Sequence, residues 1–364
     1  MPDIHIKIEN LTKKFGNVVA VDNVSLEIER GSFTTLLGPS GCGKTTTLRL
    51  IAGLYNVDQG QIFFGERCVN DVPSHQRNAT MVFQDYALFP HMTIFENVSY
   101  GLRLMKLPAQ EIEERVERTL RFLGLEELGD RTPGMISGGQ QQRAALARSL
   151  IMEPEVLLLD EPLSNLDAKL RVNIRAELRQ IQKNLGITTT YVTHDQEEAL
   201  AISDSIAVMN KGKVIQFGSP WEIYYKPNST FVADFVGVAN FIHGKVKQIT
   251  PKDILVDIGD QILKLDAHDY RVSMGQGVVL NIRPETILMS KQPPESRSNV
   301  LTGRIKTHTF VGQFIRYWVT CSEREFIVDL HDPSTVGILD GNVYLQLPSS
   351  KLHLLPEEEE SISS

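Results

Sequence analysis

A glycine-rich segment between a short apolar run and a helical pattern has the residue types that bind phosphate. Residues 38–45 read Gly-Pro-Ser-Gly-Cys-Gly-Lys-Thr. In this spacing the glycines let backbone N–H groups wrap around phosphate oxygens, and the positive end of the following helix adds to the attraction. Lys44 would neutralise the β- and γ-phosphates of a nucleotide, and the Thr45 hydroxyl would ligate Mg²⁺. The residues predicted to contact the nucleotide here are Gly38, Pro39, Ser40, Gly41, Cys42, Gly43, Lys44, Thr45 and Thr46.

Two adjacent carboxylates follow a second apolar run, residues 156–159. Asp160 is placed to hold Mg²⁺, usually through water. Glu161 comes directly after it, where a carboxylate can accept a proton from the attacking water or orient that water. The pair could instead cap the next helix, but its occurrence together with the phosphate loop (residues 38–45) favours the metal-binding and catalytic roles.

Two further polar residues, Gln84 and His194, lie at or near the ends of predicted strands. Such strand ends carry the ligand-binding groups of an open α/β sheet. Hydrolysis of a nucleotide needs a group that senses the γ-phosphate and one that positions water. Taken singly, either residue would be an ordinary surface side chain, but their order relative to the other motifs favours catalytic roles, with Gln84 also near the metal.

A second glycine-rich segment, residues 136–140, reads Ile-Ser-Gly-Gly-Gln and opens a helix. Free N–H groups and the helix dipole suit it to an anion. Because it cannot reach the phosphate loop of its own subunit, it predicts two nucleotide sites shared across a dimer. A plain glycine-rich turn before a helix is the alternative.

The hydrophobic patterns predict an α/β domain followed by an all-β domain. Residues 4–8 and 24–28 alternate as half-buried strands, residues 33–37, 156–159 and 188–192 read as buried parallel strands, and helices are predicted over 44–52, 111–123, 140–150, 169–185 and 196–202. We predict a first domain over residues 1–239, with a helical subdomain at about 88–153, and a β domain over 240–355. Short echoes, residues 244–247 with 303–306 and 277–282 with 341–347, indicate two repeats in the β domain. Residues 356–364 would form an acidic tail.

Composition limits the remaining possibilities. The 364 residues are 41% hydrophobic and 23% charged, which is typical of a globular chain with more than one core. No stretch approaches the roughly 20 apolar residues that span a bilayer, and residues 1–5 lack a secretory signal, so we expect a cytoplasmic location. Cys42, Cys68 and Cys321 show no metal-ligand spacing. The net charge of −8 argues mildly against a general nucleic-acid binder.

With these motifs in order, residues 4–235 closely resemble the ATP-binding subunit of an ABC transporter. The resemblance implies an α/β P-loop NTPase fold with an antiparallel β subdomain and a helical subdomain. It implies that Phe15 stacks on adenine, that Gln84 links Mg²⁺ to the membrane subunits, and that His194 contacts the γ-phosphate. It further implies that residues 164–167 line the dimer seam, with Asp167 near the nucleotide. The γ-phosphate of the opposite subunit's ATP would be held by Ser137, Gly138, Gly139 and Gln140, and Ile136 replaces the usual leucine.

Residues 241–350 resemble the paired β modules, similar to oligonucleotide-binding folds, that end the ATPase subunits of sugar, polyamine, sulfate and iron(III) importers. The segments 240–241 and 283–285 carry this resemblance, although 283–285 alone could be ordinary turn residues. We therefore expect a homodimeric ATPase at the cytoplasmic face of the inner membrane, with ATP and Mg²⁺ bound. It would power a permease supplied by a substrate-binding protein, with iron(III) or polyamine as the favoured cargo.

Two alternatives belong to other classes. The first is a soluble, non-transport ABC ATPase acting on nucleic acid or the ribosome, but such proteins usually carry two cassettes, a coiled-coil insert or basic arms. The second makes the β domain a nucleic-acid reader, since oligonucleotide-binding folds often are. The acidic net charge and the lack of an aromatic and basic stripe disfavour it, and we expect no nucleic-acid partner.

Overall fold

The computed structural model describes residues 3–164, 166–267, 270–332, 334 and 337–357. Residues 358–364, most of the predicted acidic tail, lie outside the described residues. The chain divides into two compact units, residues 1–220 and 221–364. This division falls before the predicted boundary at residues 239 and 240, because the segment after residue 220 packs on strands of the second unit: Ala233 shares a buried cluster with Val279 and Leu355.

The first unit alternates strands and helices after an antiparallel start. In chain order it contains β1 (Ile4–Phe15), β2 (Val18–Glu29), β3 (Phe33–Leu37), α1 (Lys44–Ile51), β4 (Gln59–Phe64), β5 (Arg67–Cys68), β6 (Ala79–Val82), α2 (Ile94–Leu104), α3 (Ala109–Phe122), α4 (Gly138–Leu150), β7 (Val156–Asp160), α5 (Ala168–Leu185), β8 (Thr188–Thr193), α6 (Gln196–Ile202), β9 (Ser205–Asn210) and β10 (Lys213–Gly218).

A mostly parallel sheet with the order β10-β9-β3-β8-β7-β6 forms the centre of this unit. Strands β3, β7 and β8 are buried along their whole length, as their uninterrupted apolar and β-branched sequences predict. Leu37 pairs with Thr193, Asp160 with Val192, and Val82 with Leu159. The carboxyl ends of β3, β8, β7 and β6 therefore meet at one edge of the sheet, and this agrees with the predicted α/β class.

The antiparallel sheet has the order β2-β1-β4-β5. Ile6, Ile8, Leu26 and Ile28 are buried in its core, which explains the alternating pattern in the sequence. Helices α2, α3 and α4 lie between β6 and β7 in the chain and share one apolar cluster. None of the helices in the described ranges has the length and apolar character to span a bilayer.

Helix α2 is the main element that the sequence patterns did not predict. A capping box fixes its start: the Glu96 backbone N–H donates to the Thr93 hydroxyl over 3.1 Å, and the Thr93 N–H donates to the Glu96 carboxylate over 2.8 Å. Its buried apolar residues, Ile94, Val98 and Leu102, recur every four positions. The signal for this helix is thus present in the sequence, at the correct spacing.

The second unit begins with two short helices and continues as strands. These are α7 (Pro220–Tyr225), α8 (Thr230–Phe235), β11 (Asn240–Ile249), β12 (Asp253–Asp257), β13 (Ile262–Asp266), β14 (Gly277–Ile282), β15 (Leu288–Ser290), β16 (Val300–Phe310), β17 (Phe314–Cys321), β18 (Arg324–His331), β19 (Asn342–Gln346) and β20 (His353–Pro356).

Two sheets of matching strand order form this β unit: β13-β12-β11-β14-β20 and β18-β17-β16-β19-β15. In each, a long strand pairs with a meander on one side and with a later strand on the other. β15 follows the first set of strands but pairs in the second sheet, and β20 does the reverse. The echoing segments of the sequence lie at equivalent places, since β11 pairs with β14 and β16 with β19.

Arg283 joins the two helices of this unit to the sheet. Its guanidinium donates to the carbonyls of Tyr224 over 2.8 Å, Ala233 over 2.8 Å and Gly237 over 3.0 Å, and it lies 4.2 Å from the centroid of the Tyr224 ring. The Tyr224 hydroxyl donates to Glu285 over 3.0 Å. Both charged residues of segment 283–285 therefore hold Tyr224, which gives that segment a structural role.

Candidate nucleotide site

The phosphate loop crosses from the end of β3 to the start of α1. Gly43 caps the helix with φ of 105°, a backbone conformation that L side chains rarely adopt. A side chain at Gly38 would collide with the Met209 carbonyl, and one at Gly43 with the Ala20 carbonyl. Glycine is therefore required at both positions by close backbone approach. The tip of the loop, Ser40 and Gly41, is exposed to solvent.

Lys44 lies at the first turn of α1 with its side chain folded back into the loop. The ammonium donates to the Gly38 carbonyl over 2.7 Å and to the Pro39 carbonyl over 3.0 Å, and the residue is only 5% exposed. A buried cation that has backbone carbonyls as its partners is placed to meet an anion entering the loop. Thr46 follows in the same turn and is half-buried.

Thr45 and Asp160 are in direct contact at the edge of the sheet. The Thr45 hydroxyl donates to an Asp160 carboxylate oxygen over 2.9 Å. Burial raises the pKa of Asp160, against the opposing effects of the Thr45 hydrogen bond and of Arg49. The predicted metal-binding residues Thr45 and Asp160 are thus brought together by α1 and β7.

Glu161 and His194 form a second polar pair beside the first. The His194 Nδ1 atom lies 3.1 Å from the Glu161 Oε2 atom. An ionised carboxylate only accepts hydrogen bonds, so in this arrangement the ring donates from Nδ1. Glu161 has φ of 45° and its backbone N–H donates to the Val192 carbonyl over 3.0 Å. Glu161 thus combines a costly left-handed backbone with the side-chain contact to His194.

Gln84 follows β6 by two residues and is exposed. The pairing of β6 with β7 places it at the same edge of the sheet as Asp160. Arg148 of α4 holds the loop that follows Gln84, because its guanidinium donates to the Ala87 carbonyl over 2.7 Å and to the Tyr86 carbonyl over 3.1 Å. Arg148 was not predicted as a site residue, since nothing in the local sequence indicates its distant partners.

The clamp segment (residues 137–140) opens α4 and is closed by a capping box. Gln140 N–H donates to the Ser137 hydroxyl over 3.4 Å, and the Gln140 side chain accepts from the Ser137 N–H over 2.9 Å. Ser137 and Gly138 are exposed, while Ile136 is buried in the apolar cluster of α2, α3 and α4. Among the described residues no hydrogen bond or ion pair joins the clamp segment to the phosphate loop.

The seam segment (residues 164–167) lies next to the clamp segment in the same chain. A side chain at Gly138 would meet Leu166 at 3.4 Å, and one at Gly139 would meet Leu170 at 3.0 Å. The Ser164 hydroxyl donates to the Glu161 carbonyl over 2.9 Å, and Asp167 caps α5 by accepting from the Leu170 N–H over 2.9 Å. Asn165 lies outside the described residues.

Arg171 connects this seam segment to the strand end that carries His194. Its guanidinium donates to the Leu166 carbonyl over 3.2 Å and to the Asp195 carboxylate over 3.1 Å, and it lies 3.7 Å from Glu198. Glu198 is buried and accepts from the hydroxyls of Tyr191 over 2.7 Å and Thr193 over 2.8 Å. Sequence reasoning missed Arg171, whose only local signal is its position four residues after Asp167.

Phe15 stands apart from this cluster, at the end of β1. It is 44% exposed, its ring meets Tyr55 edge-on at 5.3 Å, and the Lys13 ammonium lies 5.5 Å from its centroid. An exposed ring of this kind is free to stack on a flat ligand. Cys42, by contrast, is buried beneath the loop, and burial raises the pKa of its thiol. Its side chain therefore packs inside the loop as an un-ionised thiol.

Comparison with known protein families agrees with this geometry. Residues 21–164 match the family described as ABC transporter, and residues 280–355 match the TOBE domain. The fold and the site together define an ABC-type ATP-binding cassette followed by a TOBE domain.

Individual relatives of this chain carry names that are more specific than those of the two families. An Fe(3+) ions import ATP-binding protein of Fusobacterium nucleatum is 40% identical over 98% of this chain and 94% of its own length. One of Brucella suis is 46% identical over 89% of this chain and 90% of its own length. A spermidine/putrescine import ATP-binding protein of Trichormus variabilis is 42% identical over 95% of this chain and 89% of its own length. The chain belongs to the family of ABC import ATP-binding proteins, which are ATPases that power transport.

Solved structures of ATP-binding cassettes are also similar to this chain. The cbiO1 protein of Clostridium perfringens, part of the ABC transporter complex cbiONQ, has a TM-score of 0.58 at 34% identity, covering 64% of this chain and 93% of that one. A dimeric ATP-binding cassette in a post-hydrolysis state with ADP and Pi has a TM-score of 0.53 at 32% identity, covering 59% and 98%. The predicted P-loop fold and the ATPase class are therefore confirmed.

Proposed function

We propose that two copies of this chain close around two molecules of ATP with Mg²⁺ and that hydrolysis drives a membrane permease to import a small solute. One observation carries the proposal: Thr45 contacts Asp160 at 2.9 Å and Glu161 contacts His194 at 3.1 Å, at one edge of a parallel sheet. This edge combines a buried cation, two carboxylates and a histidine, as metal-assisted phosphoryl transfer requires.

The donor set fits a magnesium nucleotide. Hydroxyl and carboxylate oxygens are the ligands that Mg²⁺ prefers, and Thr45 and Asp160 present one of each. Burial raises the pKa of Asp160, and a neighbouring divalent cation would favour the ionised form. Gln84 is the third predicted ligand. Bound Mg²⁺ would supply charge neutralisation at the β- and γ-phosphates.

Glu161 and His194 would act on water and on the γ-phosphate, respectively. The Glu161 carboxylate can accept a proton from water that lies against the phosphate, which makes that water a better nucleophile. His194 holds this carboxylate through Nδ1, and its Nε2 atom would contact the γ-phosphate. Lys44, already in contact with loop carbonyls, would exchange them for phosphate oxygens.

The clamp segment would complete the site of the opposite copy. Its exposed Ser137 and Gly138 lie at the start of the 13-residue helix α4, where the helix dipole attracts an anion, while the capping box holds the Ser137 and Gln140 N–H groups. Asp167 and the rest of the seam segment would line the contact between copies, and Phe15 would stack on adenine. The solved dimeric cassette supports an assembly of two such units.

For the cargo we propose Fe³⁺ or a polyamine, supplied by a substrate-binding protein, with the ATPase at the cytoplasmic face of the inner membrane. The support is the naming of relatives as Fe(3+) and spermidine/putrescine import proteins. Purifying the chain with its permease in lipid nanodiscs tests this proposal. We expect the substrate-binding protein of this transporter to stimulate ATP hydrolysis when it carries ferric ion or spermidine. If neither loaded form stimulates hydrolysis, the cargo assignment is refuted.

The hydrolytic mechanism is tested by Glu161→Gln. Without a carboxylate to accept the proton, we expect hydrolysis to fall by about 100-fold or more while ATP binding is kept, so that a closed dimer accumulates. Turnover by radiolabelled phosphate release and dimerisation by size-exclusion chromatography measure the two effects. Glu127→Gln, an equal change at an exposed position, is the control. Rapid turnover by Glu161→Gln would remove Glu161 from the reaction.

A further inference from the structure

Phe15, the proposed contact for the nucleotide base, lies where strand β1 is irregular. The pairing of β1 with β2 shifts register between Leu11 and Lys13 and again between Lys13 and Lys14. Register shifts of this kind bend a strand and re-aim the side chains beside them. The direction of the exposed Phe15 ring therefore depends on the contacts that fix the last residues of β1.

Asp58, directly before β4, fixes these residues with both oxygens of its carboxylate. One oxygen accepts from the Lys13 ammonium over 2.7 Å, and the other accepts from the Lys14 backbone N–H over 2.7 Å. The Asp58 N–H donates to the Thr12 carbonyl over 3.3 Å. Three consecutive residues before Phe15 are thus held by one residue.

Tyr55 supports the Phe15 ring itself. The two ring centroids are 5.3 Å apart with planes at 74°, an edge-on geometry that aromatic pairs favour. Since Phe15 is 44% exposed, this contact leaves part of its surface open to solvent. Tyr55 therefore restricts the rotation of the Phe15 ring and keeps that surface available to a ligand.

Arg49, in the last turn of α1, connects Tyr55 with the phosphate-binding side of the site. Its guanidinium donates to the Tyr55 hydroxyl over 3.1 Å, and its carbonyl accepts from the Tyr55 N–H over 3.4 Å. The same guanidinium lies 3.8 Å from an Asp160 carboxylate oxygen. Because α1 begins at Lys44, one short helix joins the phosphate loop to the support of Phe15.

We propose that Tyr55 and Asp58 are positioning residues for nucleotide binding: they hold the Phe15 ring at a fixed place relative to the phosphate loop, so that a purine base and its phosphates are bound together. This inference rests on the proposed function, in which Phe15 stacks on adenine. A ring that is held before the ligand arrives loses little conformational entropy on binding. Loosening the support should therefore weaken the contribution of the base and leave that of the phosphates.

Two probes, titrated with Mg²⁺ against the full-length chain by calorimetry, separate these contributions. The first is adenylyl imidodiphosphate, a non-hydrolysable ATP analogue, and the second is inorganic tripolyphosphate, which has no base. We expect Tyr55→Leu and Asp58→Ala each to weaken binding of the analogue by about threefold to tenfold and to leave tripolyphosphate binding unchanged. A general disturbance of the fold would weaken the binding of both probes.

Steady-state hydrolysis gives a second readout. Because these substitutions leave the proposed reacting groups in place, we expect the KM for ATP to rise by about threefold to tenfold while kcat stays within about twofold. Tyr55→Phe keeps the ring contact and loses only the hydrogen bond from Arg49, so its effect should be smaller than that of Tyr55→Leu.

Asp71→Ala and Tyr100→Leu are the matched controls. Asp71 is an exposed carboxylate, and the Tyr100 ring is 36% exposed and meets another ring, that of Phe89, at 4.8 Å. Both controls should leave binding of the analogue unchanged. Thermal unfolding of each variant, compared with the unaltered chain, shows that weaker binding is not lost folding.

Combination with Phe15→Leu shows whether the support acts through the Phe15 ring. We expect Phe15→Leu alone to weaken binding of the analogue by about tenfold, since it removes the stacking surface. Adding Tyr55→Leu to this variant should cause no further loss, because the ring that Tyr55 positions is already absent.

The positioning role is overturned if Phe15→Leu weakens binding of the analogue and neither Tyr55→Leu nor Asp58→Ala does. It is also overturned if tripolyphosphate binding falls in parallel, or if the losses from Phe15→Leu and Tyr55→Leu add. Full binding by Phe15→Leu would refute the proposed stacking on adenine, and the positioning role with it. No binding of the analogue by the unaltered chain would refute the proposed nucleotide site as a whole.

Discussion

At the residue scale, the site contains side chains whose surroundings differ from those of free residues in water. Lys44 is buried among carbonyls, Asp160 has its pKa raised by burial, and Glu161 has a left-handed backbone. Burial of a charged group and a left-handed backbone at a residue other than glycine both cost free energy. These costs are concentrated at the edge of the sheet where we propose that the nucleotide binds.

His5, remote from the site, makes stability depend on pH. It is buried, with Nδ1 2.6 Å from the Thr188 hydroxyl and Nε2 3.3 Å from Glu155, and burial lowers its pKa although Glu155 acts in the opposite direction. The unfolded chain, with a histidine pKa of about 6.5, binds more protons than the folded chain below that pH. We therefore expect the free energy of unfolding to fall as pH decreases through about 6.5.

Urea unfolding of the first unit between pH 7.5 and 5.5, followed by circular dichroism, measures this effect. His5→Gln cannot titrate and should flatten the pH dependence, whereas His75→Gln, at an exposed position, should leave it in place. Identical slopes for the His5→Gln variant and the unaltered chain would show that another group is responsible.

The buried thiol of Cys321 gives a second test at the residue scale. Burial is the main effect that raises the pKa of its thiol to about 11, while Cys68 is exposed. Since the thiolate is the nucleophile, alkylation of the folded chain at pH 8 should modify Cys68 well before Cys321. Mass spectrometry of timed iodoacetamide samples gives the order, and unfolding in urea should equalise the two rates. Faster modification of Cys321 in the folded chain would contradict its burial.

At the element scale, Arg171 links the start of α5 with the end of β8. Arg171→Met removes its hydrogen bonds to the Leu166 carbonyl and to Asp195, leaving His194 and the seam segment free to move independently. We expect kcat to fall by roughly tenfold or more, with little change in ATP affinity and partial rescue by Arg171→Lys. Steady-state hydrolysis and nucleotide binding by calorimetry separate the two effects.

The matched control is Lys183→Met, the same loss of charge in the last turn of the same helix. If Arg171→Met lowered ATP affinity and kcat together, or if Lys183→Met had an equal effect, a positioning role would be excluded.

In the second unit, Arg283 attaches helices α7 and α8 to the strands. Arg283→Met keeps much of the side-chain volume but leaves the carbonyls of Tyr224, Ala233 and Gly237 without a donor, so we expect a loss of about 2–4 kcal/mol of unfolding free energy. Hydrogen exchange over residues 220–238 and thermal unfolding measure it. Arg297→Met changes an exposed arginine and should have no effect; unchanged protection in Arg283→Met would contradict the attachment.

The strands show how much of the fold can be predicted from the sequence. Strands β3, β7 and β8 were predicted to within one residue, because buried parallel strands give uninterrupted apolar and β-branched runs. Gly244 and Gly303 begin the echoing segments, and the structure shows why both are glycine. A side chain at Gly244 would meet Val256 on the neighbouring strand, and one at Gly303 would meet Cys321 and Val319. Local periodicity is readable from one sequence, whereas the identity of the neighbouring strand is not.

The residues of the candidate site also fall into those that the sequence predicts and those that it does not. Gly38, Gly43, Thr45 and Asp160 were predictable because a local motif or a strand end specifies each of them. Arg148 and Arg171 were missed because their partners, the Ala87 carbonyl and the Leu166 carbonyl, are backbone atoms without any side-chain signature. The contact between copies is also beyond the single chain, so the shared site stays a prediction.

At the scale of the whole molecule, the shared-site proposal makes a prediction about dimers that combine two different variants, since no hydrogen bond or ion pair joins the clamp segment to the phosphate loop among the described residues of one chain. If each site combines Lys44 of one copy with Gly138 of the other, a dimer of one Lys44→Ala chain and one Gly138→Asp chain has one site with both defects and one intact site. We expect such a heterodimer, isolated with two different affinity tags, to keep up to about half of the normal ATPase activity.

The decisive comparison is a dimer of one unaltered chain with one chain carrying both Lys44→Ala and Gly138→Asp. If sites are shared between chains, each of the two sites in this dimer contains one defect, and we expect no activity. If each chain forms its own site, this dimer keeps one intact site, whereas the dimer of two single variants keeps none. Both dimers contain the same two substitutions, so differences in expression or stability affect them alike. An active second dimer with an inactive first would place Lys44 and Gly138 in the same site of one chain, contrary to the proposed shared site.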